Sequence, residues 1–116
     1  MIMVQSTFHL VPGSRDDAIK LMKTMVRLCR EEQGCLSYEY FEGISDANQV
    51  ILLQEWESAE NLEEHYQTEH MENFLNKLGK YLQSPVSTRS YLSQEERAVS
   101  NSKLTDEPAK PEQTIH

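Results

Sequence analysis

Positive charge is scarce in this sequence. Eleven Lys and Arg stand against 19 Asp and Glu, a formal net charge of −8 over 116 residues. A nucleic-acid-binding surface needs clustered cations to displace counterions from phosphates, so that class is not expected. Adsorption to anionic membranes is disfavoured on the same ground. Long apolar runs are missing too. No stretch approaches the ~18–20 residues of a transmembrane helix. The opening MIMVQSTFHL carries no basic segment of the kind that starts a signal peptide, so the expected location is cytoplasmic. Cysteine is limited to Cys29 and Cys35, too few for a disulfide framework and consistent with a reducing compartment. The four glycines build no phosphate-cradling loop, so no nucleotide cofactor is expected. There is no Gly-x-Ser-x-Gly nucleophile motif either.

What is present concentrates before Ser93. Residues 1–92 form the expected domain, and residues 93–116 read as a polar tail with two prolines and no sustained apolar period. Val99 and Leu104 are the tail's candidate contacts with the domain or a partner subunit.

Residues 2–11 alternate as a strand, with Ile2, Val4, Ser6, Phe8 and Leu10 on one face. Pro12-Gly13 supplies turn chemistry, and Ser14 followed by Asp16 and Asp17 predicts a helix start. Ala18, Ile19, Met22, Met25, Val26 and Cys29 form an apolar stripe at helical spacing, and Gly34 suits the helix C-terminus. Residues 35–42 form the second strand, with Leu36, Tyr38 and Tyr40 expected on one face and Cys35, Ser37, Glu39 and Phe41 on the other. Residues 43–48 are a polar loop. Residues 49–57 form a third strand whose apolar centre, Val50 to Leu53, implies cover on both faces. Ser58 caps a short helix, and Thr68 marks a break and restart carrying Met71, Phe74, Leu75, Leu78 and Leu82. A fourth strand follows Ser84-Pro85, with Val86, Thr88, Ser90 and Leu92 on one face.

The order βαββαβ predicts an α+β, ferredoxin-like fold with helices on one sheet face. The other face needs a cover, and a second copy of the chain is the expected one, giving a homodimer.

Several features coincide in order and spacing. They are the strand-Pro-Gly-helix opening, EEQGCLSY at residues 31–38, QEWES at residues 54–58, and His65 with Thr68, His70 and Phe74. This pattern resembles the antibiotic biosynthesis monooxygenase family, in particular its small stand-alone quinol-monooxygenase-like members. The resemblance covers about residues 2–92. It implies a dimeric α+β barrel and, as the leading expectation, a monooxygenase without metal or flavin that oxidises a small aromatic quinol or polyketide-like substrate with O2. An isomerase or degradative enzyme acting on a small polar carbonyl or signalling compound, and a non-catalytic dimeric binding module, fit the same residues. The haem-degrading branch fits less well, because the first strand has no Asn and the sole tryptophan lies at a strand end.

Oxygenation without a cofactor needs a base, an aromatic-lined slot and exclusion of water. His65 is the expected base, with an ordinary pKa near 6.5. Glu55 is expected to orient it. Tyr38 and Tyr40 are expected to hydrogen-bond a substrate oxygen, and Trp56 to stack on its ring. His70 is a further substrate-binding candidate, and His9 a weaker one. Each also has a plainer role as a capping, packing or surface residue. Glu55 and Trp56 are adjacent on one strand, so a regular strand turns them to opposite faces. No metal site is expected, because His65 and His70 are five residues apart across a helix break and miss the four-residue step that aligns two ligands.

Overall fold

The computed structural model describes residues 1–93, and the tail from residue 94 onward, with Val99 and Leu104, lies outside the described residues. The elements run β1 (Ile2–His9), α1 (Arg15–Cys29), β2 (Cys35–Glu42), β3 (Gln49–Trp56), α2 (Ala59–Tyr66), α3 (Glu69–Leu78) and β4 (Ser87–Leu92). The four strands form one antiparallel sheet in the order β2-β3-β1-β4. This is the ferredoxin-like α+β arrangement.

Strand alternation sorts the sheet into two faces. Opposed pairs such as Val4 with Gln54, Ser6 with Leu52 and Phe8 with Val50 lie on the buried face. The helices pack there: Ala18, Met22, Met25 and Cys29 of α1 and Phe74 and Leu78 of α3 are buried with Phe8, Val50, Leu52 and Trp56 in one core. Each of the larger aliphatic and Phe side chains contributes roughly 1.5–3 kcal/mol on full burial. The alternate set, including Met3, Ile51 and Leu53, is only partly buried, so the second face carries apolar surface.

Three local expectations change. A bulge between Cys35 and Ser37 shifts the alternation of β2. Cys35 therefore packs against the core while Leu36 is half exposed, the reverse of the regular-strand reading; Tyr38 and Tyr40 keep the helix side. Gly34 does not cap α1, which ends at Cys29 with Arg30 as its C-cap. It instead takes φ +84° in the turn into β2, and a Cβ there would collide with the Asn61 side chain. Ser14 begins α1 by position, yet its hydroxyl makes no capping hydrogen bond.

The break after α2 forms as expected. The Thr68 hydroxyl donates to the His65 carbonyl at 2.9 Å and accepts from Met71 N at 3.3 Å. One residue thus ends α2 and caps α3. α3 stops at Leu78 and a single 3-10 turn follows, so Leu82 leaves the helix and bridges Leu10.

Candidate functional site

The site is built where the end of α1, the start of β2, the end of β3 and the α2–α3 break meet. His65 faces inward from the last turn of α2 and is fully buried. The apolar edge read from Leu62 and Tyr66 is therefore rotated: Tyr66 is exposed and His65 takes the inward position.

The carboxylate beside His65 is not Glu55. Glu55 projects from the opposite sheet face, where it accepts a hydrogen bond from Ser37 Oγ at 2.9 Å. Its expected role in orienting His65 is corrected by strand alternation. The carboxylate that does so belongs to Glu32, in the turn after α1. Its oxygens lie 3.0 and 3.2 Å from His65 Nδ1, and Oε2 lies 2.6 Å from His70 Nε2. An ionised carboxylate only accepts, so both imidazole nitrogens donate to it. Burial is the main influence on His65 and holds its pKa below the ordinary value, outweighing the pull of Glu32. The imidazole is therefore neutral near pH 7, protonated on Nδ1. Its Nε2 is left as a bare lone pair in the interior, with no hydrogen-bond partner among the described residues.

Aromatic rings enclose that nitrogen. Trp56 packs on the His65 ring with centroids 4.7 Å apart, and its Nε1 donates to Gln54 Oε1 at 2.8 Å. Trp56 is fully buried, so it walls His65 rather than presenting a free stacking face. Tyr38 lies edge-on to His65 at 5.8 Å, and Tyr40 edge-on to Tyr38 at 5.9 Å. Both hydroxyls are buried, with no hydrogen-bond partner among the described residues. Burial drives both phenol pKa values well up, so these groups keep their protons and act as donors.

Tyr40 connects this row to a groove. A cleft of about 750 Å³ lies between α1 and the outer half of the sheet, lined by Ile19, Met22, Val26, Tyr40, Phe41 and Val50. Arg15 at its rim pairs with Glu42 at 2.8 Å. His65, Trp56 and Tyr38 lie outside the groove lining, behind Tyr40. His9 is on the other sheet face and belongs to neither group.

Of the six expected site residues, the structure gathers His65, His70, Tyr38, Tyr40 and Trp56 and sets Glu55 apart. Sequence reading missed Glu32 and Gln54 as partners. Glu32 stood in the EEQGC motif, yet its role depends on contacts 33 and 38 residues away. The five-residue spacing of the histidines also proved no bar to convergence, because the Thr68 break restarts the helix between them. Cys29, Glu32, His65 and His70 each offer one donor atom within 4.8 Å of the others. Burial raises the Cys29 thiol pKa far above its ordinary value, so it is neutral here.

Similarity to known proteins places the fold and the family. Residues 1–77 match the sequence signature of the family described as antibiotic biosynthesis monooxygenase. The chain is 26% identical over 95 residues to "Putative monooxygenase YcnE" of Bacillus subtilis, across 81% of this chain and 100% of that one. It is 27% identical over 90 residues to the uncharacterized protein sll1783 of Synechocystis, across 78% of this chain but only 61% of that protein. The structure of Rv0793 from Mycobacterium tuberculosis superposes with a TM-score of 0.78 at 26% identity, covering 84% of this chain and 98% of its own. With its fold and a family match over most of the described residues, the chain belongs to the antibiotic biosynthesis monooxygenase family.

Proposed function

We propose that the protein is a cofactor-independent monooxygenase that oxidises a small aromatic quinol or polyketide-like substrate with O2. The observation that carries this reading is the row of unpartnered buried polar groups from the groove inward: Tyr40 hydroxyl, Tyr38 hydroxyl, His65 Nε2. A buried polar group without a partner costs about 1–3 kcal/mol, so three in one row call for a function.

The substrate ring occupies the apolar groove between α1 and β2. Its hydroxyl meets Tyr40, and its proton passes inward by way of Tyr38 to His65 Nε2 once substrate binding brings these three groups, which are not hydrogen-bonded to one another in the free protein, into line. The imidazolium so formed is held by Glu32, as a carboxylate steadies the histidine of a hydrolase triad. The anion left in the groove is electron-rich enough to reduce O2. One oxygen atom ends on a ring carbon as the new hydroxyl and the other leaves as water, while the two quinol hydroxyls become carbonyls, so a quinol plus O2 gives a hydroxyquinone plus water. All reducing electrons come from the substrate.

The second sheet face supports a homodimer. Partly buried Met3, Ile51 and Leu53 lie there, with Phe41 and Tyr91 about half exposed. A second copy packed sheet to sheet covers them. Light scattering is expected to give twice the chain mass, and Ile51→Glu to give the monomer.

The activity test is oxygen uptake with a quinol panel, aerobic against anaerobic. Turnover is expected only with O2, falling about a hundredfold or more in His65→Ala and markedly in Tyr40→Phe. Turnover that persists without O2, or is unchanged in His65→Ala, contradicts the reading.

A further inference from the structure

We propose that Cys29, Glu32, His65 and His70 form a closed site for a divalent transition-metal ion of the zinc class. The site joins the end of α1 to both α2 and α3.

The donor set points to this chemistry. One thiol, two imidazoles and one carboxylate supply mixed sulfur, nitrogen and oxygen ligands, the combination found around four-coordinate zinc. Hard cations such as Mg2+ or Ca2+ prefer all-oxygen sites and are not matched. The spacing fits as well. Zinc bonds of about 2.0–2.3 Å place tetrahedral ligand atoms about 3.3–3.8 Å apart. Here all four donor atoms lie within 4.8 Å of one another. The Glu32 contacts to His65 and His70, at 3.0 and 2.6 Å, open by several tenths of an ångström to admit the ion, and the thiol closes in. Glu32 lies in a turn rather than a helix, so its backbone can take up this change.

The ligands are held by the fold. Thr68 fixes His65 by its carbonyl and starts the helix that carries His70. His65 and Cys29 are fully buried, whereas His70 is a quarter exposed. A cavity of about 220 Å³ between α1 and α3, lined by Leu21, Met25, His70 and Phe74, reaches the site at His70.

Four protein ligands leave no open position, so the ion staples the helices and does no chemistry itself. It displaces the thiol proton, which leaves to solvent, and each imidazole turns a lone pair to the ion and carries its proton on the other ring nitrogen, so that His65 Nε2 becomes protonated. It also occupies His65. If the proposed oxygenase reading holds, and this corollary rests on that reading, the loaded protein loses O2 uptake and a chelator restores it.

Binding is tested without substrate. The full chain, stripped with a chelator, is titrated with Zn2+ and separately with Co2+. One ion per chain is expected by elemental analysis after desalting, with a rise in melting temperature. Co2+ is expected to give intense visible bands of tetrahedral type and a thiolate-to-cobalt charge-transfer band. Cys29→Ser is expected to remove the charge-transfer band. His70→Gln, at a partly exposed position, is expected to weaken Zn2+ binding by about tenfold or more. Cys35→Ser and His9→Gln leave all readouts unchanged. Stoichiometry well below one, weak octahedral-type bands, or a thiolate band that survives Cys29→Ser overturns the site.

Discussion

Replacing Glu32 by Gln tests the arrangement at its centre. The substitution keeps the shape of the side chain and removes its charge. In the native protein one carboxylate accepts from two imidazoles, at 2.6 Å from His70 and 3.0 Å from His65, and its side chain is only 13% exposed. Hydrogen bonds to an ionised partner contribute about 1.5–3 kcal/mol each, against about 0.5–1.5 kcal/mol for neutral pairs. A Gln amide offers one oxygen, and its NH2 group faces the other ring as a second donor. The loss is therefore about 2–3 kcal/mol, from weakening one bond and opposing the other. For a domain of this size that lowers the melting temperature by roughly 10–20 °C. The assay is thermal melting of chelator-treated protein followed by near-ultraviolet circular dichroism. Trp56, the sole tryptophan, packs on His65 and reports on the site. A loss below about 0.5 kcal/mol, the range of an ordinary surface substitution, would refute the reasoning.

Two further outcomes follow from the same structure. Burial depresses the pKa of His65, so below about 6.5 the unfolded chain takes up a proton that the folded chain does not. Stability of the metal-free protein is full above that pH and falls as pH drops toward the folded value, by up to about 1.4 kcal/mol per unit; urea melts in wild type and His65→Gln check this, and equal pH dependence in the two contradicts it. Gly34→Ala is expected to cost about 1–3 kcal/mol, because it strains a positive φ and drives Asn61 away from Ser58, measured by the urea midpoint.

The sequence made the scaffold readable because its signals are local. β1 alternates cleanly, α1 carries a continuous apolar stripe, and Ser58 and Thr68 sit at helix starts where their hydroxyls accept backbone hydrogen bonds. The site was harder because its decisive contacts are not local. Glu32 looks like one more acidic residue in an acidic chain until the turn after α1 brings it to two histidines on other helices. A bulge of one residue moved Cys35 and Leu36 to opposite sides, and no periodicity reveals such a bulge. The alternation that separates Glu55 from Trp56 was visible, and it correctly warned that both could not serve one cavity.

The proposed chemistry needs Glu32 to hold His65 as a neutral imidazole with a bare Nε2 in the interior. Nitrogen-15 NMR of the metal-free protein reads this state directly. The predicted result is a His65 ring protonated on Nδ1 alone at pH 7, titrating below about 6.5. A ring protonated on Nε2 at that pH, alone or together with Nδ1, would contradict it.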